Sequence, residues 1–322
     1  MKSRSKTVWL AFALGVVATT GALAQSFPTR PIRMVVPYSA GGGLDMMCRT
    51  VAERMAQAVR QPVVVDNRVG ASGTIGTAAV AKSAPDGHTI HCGTNSEITL
   101  APFVLKDVPY DAERELAPLT MGVRQVVLLV AHPSLDAPDL RTLLERTRAQ
   151  RASYAHLGVG HSFHLAMAML SAEANAPFEG VPYKGAANSV TDVLGGHIKL
   201  AMLNLAPVHQ HLRDGRLKAL AVFQPERSAA LPDVPTVREI VGADVQAPSW
   251  FGFFAPAGLP ADVRARLEQE LRAALADPAV RAKLAGATME VMGMASAEFA
   301  EIVRRERASN EALVRRFGVR PE

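Results

Sequence analysis

The sequence predicts an α/β protein of two lobes, each built on a mixed, mainly parallel sheet with helices on its faces. Three observations carry this. Short apolar runs alternate with segments of helical periodicity along most of the chain, the pattern of recurrent strand–helix units. Each half holds a glycine-rich turn between a strand and a helix, at residues 38–45 and 158–164. A proline-punctuated stretch, Leu231-Pro232-Asp233-Val234-Pro235, precedes an apolar segment and three helical patterns, so the chain end returns to the lobe where it began.

The first unit is the clearest. Residues 32–36 form an apolar run that reads as a buried strand. Residues 37–45, Pro-Tyr-Ser-Ala-Gly-Gly-Gly-Leu-Asp, follow it. A helix comes next, with Cys48, Val51, Ala52, Met55, Ala58 and Val59 on one face. Three glycines let the backbone approach a bound group, and the free N–H groups of the helix's first turn suit an anion. The spacing is neither a dinucleotide fingerprint nor a P-loop. Asp45 in the first turn is stabilised by the helix dipole and would hold a hydroxyl, an amine or a water.

Later units follow in order. Residues 63–66 are a second strand, 74–82 a helix, and 88–92 a third strand. That strand runs into Gly93-Thr94-Asn95-Ser96, a polar loop at its carboxyl end, where ligands of open α/β sheets bind. Residues 126–131 are an uninterrupted apolar strand. Then come a helix at 140–148, a strand at 153–155, a helix at 163–175 and a strand at 178–182. A helix near 189–194 and strands at 198–203 and 219–223 complete the middle of the chain. The return segment is 249–256, and Pro260 starts a long helix with Val263, Leu267, Leu271 and Leu275 on its buried side. Pro278 starts another helix and Ser296 a last one. Crossings near Val126 and Phe253 divide the chain into 25–122 plus 249–322 for one lobe and 123–248 for the other.

The 322 residues are 48% hydrophobic and 20% charged, a globular composition. Lys2, Arg4 and Lys6 precede an apolar run at 8–18 too short to span a bilayer, and Ala22-Leu23-Ala24 has the small-x-small cleavage pattern. Residues 1–24 therefore read as a signal peptide cleaved near Ala24, which directs the protein to a periplasm. Without those three cations the balance is 32 basic to 30 acidic residues, which offers nucleic acid no basic run. Cys48 and Cys92 are either a disulfide, which an oxidising compartment permits, or two buried thiols.

At this point the chain resembles a known family. It carries Pro28-Thr29-Arg30-Pro31-Ile32-Arg33 and then Val36-Pro37-Tyr38-Ser39-Ala40-Gly41-Gly42-Gly43-Leu44-Asp45. Gln61-Pro62-Val63-Val64-Val65-Asp66-Asn67-Arg68, Ala84-Pro85-Asp86-Gly87 and Val181-Pro182-Tyr183-Lys184-Gly185 follow. Leu194-Gly195-Gly196, Leu231–Thr236, Trp250-Phe251-Gly252 and Ala255-Pro256-Ala257-Gly258 complete the series. In order and spacing these are similar to the substrate-binding proteins of tripartite tricarboxylate transporters, the Bug-type receptors. The resemblance spans essentially the whole mature chain. It implies a type II periplasmic binding (Venus-flytrap) fold that closes on a small carboxylate and delivers it to inner-membrane permease subunits. It implies that backbone amides around Gly42 to Asp45 and Gly160 to His164 meet the carboxylates, and it places Asn204 near the cleft. With the polar loops, the expected solute-binding residues are Tyr38, Ser39, Gly42, Gly43, Leu44, Asp45, Asn95, Ser96, Gly160, His161, Ser162, Phe163, His164 and Asn204.

The chain departs from the family pattern at Leu44, His161 and Phe163, where small hydroxyl residues are usual, and at Leu203, where an acidic one is common. These exchanges predict a solute with an apolar or aromatic portion beside its carboxylate. A protonated His161 would pair with that carboxylate, so affinity would fall above its pKa as the ring loses its proton. His161 and His164 have no identifiable third partner for a metal, so no metal or cofactor is expected. No catalytic motif is present. A monomeric receptor for transport is the primary reading. A ligand sensor for a membrane histidine kinase and an exported α/β hydrolase are the alternatives.

Overall fold

The computed structural model describes residues 27–317, so the export segment expected at 1–24 lies outside the described residues. The chain opens with β1 (Ile32–Val36), buried except at Arg33. Gly42 then starts α1 (Gly43–Val59). Its buried stripe runs Cys48, Val51, Ala52, Met55, Val59, and the 3.6-residue step leaves Ala58, expected on that face, exposed. β2 (Val63–Asn67), α2 (Thr74–Ala81) and β3 (Thr89–Thr94) follow.

The polar loop expected at Gly93-Thr94-Asn95-Ser96 is instead the end of β3, through Thr94, and the start of a helical turn capped by Asn95. Ser96–Leu100 form a buried π-helical turn that leads into α3 (Ala101–Val104). The turn buries because its polar groups satisfy one another. The Glu97 carboxylate accepts from the Thr94 N–H and the Thr94 hydroxyl, both at 2.5 Å, while Ile98 and Leu100 enter the core. α4 (Ala112–Glu115), capped by Asp111, precedes β4 (Leu116–Arg124). The sequence reading missed β4, because Pro118 argues against a strand. The proline is tolerated where β4 is an edge, since β11 (Glu290–Val291) pairs only with Arg124 and Val123.

The second sheet begins with β5 (Val127–Ala131), buried at every residue. α5 (Leu140–Ala149), β6 (Ala152–His156), α6 (Ser162–Ala174) and β7 (Phe178–Pro182) follow. α7 (Ala186–Leu194), β8 (Leu200–Asn204), α8 (His209–Arg213), β9 (Lys218–Val222) and α9 (Val237–Val241) complete it. A capping box between Thr236 and Glu239 starts α9. The chain then returns through β10 (Trp250–Pro256), α10 (Ala261–Ala276), α11 (Pro278–Gly286), β11 and α12 (Ser296–Arg316). The return crossing runs through Ala247 to Ser249, ahead of Phe253, which lies inside β10.

The first sheet is ordered β11-β4-β10-β3-β1-β2 and the second β7-β6-β8-β5-β9. Both are mixed, but neither is mainly parallel. β1 pairs in parallel with β2 and β3, while β10 runs antiparallel to β3 and β4. In the second sheet β6 is parallel to β7 and β8, and β5 is antiparallel to β8 and β9. The strands that cross between sheets enter from the opposite direction, and alternation along the sequence does not reveal that. Cys48 on α1 and Cys92 on β3 are joined in a disulfide, with Cα atoms 6.3 Å apart. Of the two states open from the sequence, this is the one found.

Candidate functional site

The β1–α1 turn presents its amides without competition from its own side chains. Gly42 caps α1 with extended backbone and makes no side-chain cap hydrogen bond. Gly41 sits at φ 84, a left-handed conformation that glycine adopts freely. Asp45 braces this turn from behind. Its carboxylate accepts from the Gly41 N–H (3.0 Å), Arg49 Nε (2.9 Å) and Asn67 Nδ2 (3.0 Å). Burial by itself would raise this carboxyl, but the bonds from Arg49, Gly41 and Asn67 outweigh it and hold it below the usual range. Asp45 is thus occupied within its own lobe.

The opposing turn belongs to the second sheet. His161 caps α6, and its Nδ1 accepts from the Phe163 N–H at 3.3 Å. With Nδ1 accepting, the proton lies on Nε2. Burial, then the neighbouring His156 and His164, push His161 down to about 3. The ring is neutral at every physiological pH, which corrects the expectation of a protonated imidazole. Gly158 and Gly160 take φ of 107 and 88 and shape the turn.

The two turns meet. Ser39 N–H donates to the Lys184 carbonyl (3.3 Å) and Ser39 Oγ to Asn188 Oδ1 (3.1 Å). Ser72 Oγ donates to the Val159 carbonyl. The Ser162 N–H, in the first turn of α6, donates to Ser96 Oγ at 3.0 Å. Between these contacts lies a cleft cavity of about 30 Å³, room for water-sized occupants, so a solute enters only as the lobes part. Seven expected residues line it: Tyr38, Ser39, Gly42, Gly43, Leu44, His161 and Asn204. Leu157, Ala186, Pro207 and Phe251 add an apolar wall, and no Lys or Arg is among the lining residues.

The other expected residues lie elsewhere. Asn95 reaches the Pro248 carbonyl and Glu306 and ties down the return crossing. Ser96 and Ser162 bond to each other across the lobes (3.3 Å). Gly160 packs against Leu105. His164 stacks on His156, with ring centroids 4.9 Å apart. Phe163 is fully buried in the core, and its ring meets His161 edge-on. Leu203 is also fully buried, because alternation along β8 turns it away from the face of Asn204. Of the four departures from the family pattern, only Leu44 and His161 reach the cleft. Phe251, which lines the cleft, and Gly185, which packs against Ser39 across the lobes, were both overlooked, although both stand in the motifs quoted for the resemblance.

A buried polar network supports the first turn. Tyr38 Oη lies 3.1 Å from the Ser72 carbonyl and 3.2 Å from Glu97 Oε2. Burial pushes Glu97 up to about 7, against the bonds from Thr94 and Tyr38. Burial likewise holds His91 at about 3. Among the described residues no three His, Cys, Asp or Glu side chains converge as metal ligands.

Neutral His161 carries a pH prediction. Between its ordinary value of 6.5 and about 3 the unfolded chain binds a proton that the folded protein refuses. The stability from the neutral ring is complete above pH 6.5 and is lost as pH falls from there toward 3. Affinity is therefore expected to stay flat from about pH 6.5 to 8, with the His161 ring resonances unmoved across that range. A tenfold loss of affinity over that interval would restore the protonated-imidazole reading.

Two lobes joined by crossing strands, with opposed helix N-termini at the cleft, define a two-lobe solute-binding protein of the periplasmic type. The sequence matches the tripartite tricarboxylate transporter family receptor over residues 47–319. BugT of Bordetella pertussis is 34% identical over 82% of this chain and 83% of its own. The structure of the periplasmic binding protein BugD superposes with a TM-score of 0.87 at 31% identity, over 92% of this chain and all of the other. An R. palustris protein solved with adipate does so with a TM-score of 0.87 at 29% identity and the same coverage. The chain belongs to the tripartite tricarboxylate transporter receptor family, a family of periplasmic solute-binding receptors and not of enzymes.

Proposed function

We propose that this receptor captures a small carboxylate with an apolar or aromatic body and hands it, as a monomer, to tripartite permease subunits in the inner membrane. One observation carries the reading. Two glycine turns at the N-termini of α1 and α6 face each other across a cleft whose lining is largely apolar and holds no Lys or Arg. Fixed amide dipoles then meet the charge, and Leu44, Leu157 and Phe251 meet the body of the solute. The adipate bound to the R. palustris relative is an unbranched carboxylate of this kind. Residues 25–122 with 249–322 make one lobe and 123–248 the other, after export and cleavage near Ala24. Lobe closure around the solute forms the face that the permease reads.

Native mass spectrometry of the purified mature protein, followed by denaturing release, tests this. A small carboxylate recovered intact is the expected result. Release of a hydrolysed product, or binding confined to citrate- or malate-like compounds in a screen of carboxylates, would sink it.

A further inference from the structure

The two helix starts at the cleft differ in what they can still bind. No side chain caps α1, and the first of its N–H groups to reach a carbonyl is that of Met46, 3.0 Å from the Gly42 oxygen. The N–H groups of Gly43 and Leu44, both in the cleft lining, are thus without an acceptor among the described residues. The first turn of α6 has none to spare. The Ser162 N–H donates to Ser96 Oγ (3.0 Å), the Phe163 N–H to His161 Nδ1 (3.3 Å) and the His164 N–H to the His161 carbonyl (3.0 Å). The His161 N–H itself donates to the Gly158 carbonyl at 3.1 Å. His161 alone therefore satisfies two of the three first-turn amides, one with its ring and one with its carbonyl.

The rest of the second lobe's lining adds no charge. It consists of Leu157, His161, Ala186, Asn204 and Pro207. With Nδ1 accepting, the His161 ring is neutral and carries its proton on Nε2. That N–H meets no acceptor among the described residues, although His161 is only 3% exposed. Asn204 is likewise buried, and its Oδ1 has no partner. One neutral N–H and one carboxamide suit an uncharged polar group. They leave a carboxylate short of the donors that its charge needs once the cleft has closed and water is gone.

We propose that His161 is a specificity-determining residue that makes this receptor selective for monocarboxylates, because its cap on α6 denies a second carboxylate the amides it would need. The one carboxylate of the solute binds the free amides of α1. The far part of the solute is uncharged and meets the His161 Nε2–H and the Asn204 carboxamide. The solute class narrows from apolar-bodied carboxylates to those with a single charge. The inference rests on the receptor reading above, and its test separates the two.

Adipate, with which the R. palustris relative was solved, and its monoamide differ in one charge at nearly equal shape. Their affinities are measured by calorimetry on the wild type, on His161→Gly, which removes the ring acceptor, and on His161→Asn, whose Oδ1 keeps one. The wild type is expected to favour the monoamide by about tenfold or more. In His161→Gly the ratio is expected to fall to about one, because the Phe163 N–H is freed for the second carboxylate. In His161→Asn the wild-type preference is expected to persist, whereas a ring that acted only by filling space would lose it in both variants. Adipate bound by the wild type as tightly as the monoamide overturns the proposal. An equal ratio in wild type and His161→Gly, or a preference lost in His161→Asn, overturns the assignment to the cap, while binding of either acid still upholds the receptor. Should His161→Gly not fold, His161→Ala, which also lacks an acceptor, is read in its place. If neither acid binds the wild type, the solute released from the native protein decides. One carboxylate on it upholds the selectivity and two overturn it, while recovery of either kind upholds the receptor.

Discussion

Replacing Gly185 by serine is expected to weaken solute binding by roughly 5- to 150-fold while leaving the unliganded protein as stable as before. Gly185 precedes α7 on the second lobe, and the three atoms nearest to where its β-carbon would stand all belong to Ser39 of the first. A β-carbon there would lie 2.0 Å from Ser39 Oγ and 3.0 Å from Ser39 N. The hydroxyl can rotate away, but the backbone nitrogen cannot, because it donates to the Lys184 carbonyl across the cleft. The added group collides only when the lobes are together. Overpacking of this kind costs about 1–3 kcal/mol, charged here to the closed state alone. Serine is a good helix N-cap and Gly185 already has extended backbone, so the separated lobes feel little. Calorimetry with the released solute and a thermal melt of the unliganded protein read the two terms separately. Unchanged affinity would mean that closure on solute does not bring Ser39 to Lys184.

Loss of the Cys48–Cys92 disulfide is expected to lower stability by about 3–4 kcal/mol and the melting temperature by roughly 5–10 °C. The bond closes a loop with a sequence separation of 44 residues and ties α1 to β3. Chain entropy released in the unfolded state supplies the effect. Both sulfurs are fully buried, so a Cys48→Ala, Cys92→Ala pair loses little packing beyond the bond itself. Because α1 carries the solute turn at its start, solute affinity is expected to change far less than stability. A denaturant titration of the double variant beside the oxidised wild type measures this. A midpoint shift corresponding to less than about 1 kcal/mol would show that the unfolded chain is already constrained between the two positions.

Some of the site was legible in the residues. Glycine at 41, 42 and 43 between an apolar run and a helical stripe announces a turn with free amides, and Tyr38, Ser39, Gly42, Gly43 and Leu44 do line the cleft. Capping chemistry and 3.6-residue periodicity placed α1, α6 and α10 within a residue or two, since both are local. Phe163 was expected in the site and Leu203 was counted among the departures that shape it, and the structure buries both in the core. Facing direction depends on what packs behind a helix or strand, and that is not a local property. Asp45 illustrates the same limit. Its position at a helix start was plain, but its partners Gly41, Arg49 and Asn67 converge only once β2 lies beside β1.

What the sequence determined by itself, then, is the alternation of strands and helices, the two glycine turns and the family to which the chain belongs. These rest on periodicities and motifs that are complete within short windows of chain. The tertiary structure decided the rest: the antiparallel pairings in both sheets, the Cys48–Cys92 bond and the neutrality of His161. Strand direction, burial and the pairing of polar groups are set by contacts between residues far apart in sequence, and such contacts exist only once the chain has packed.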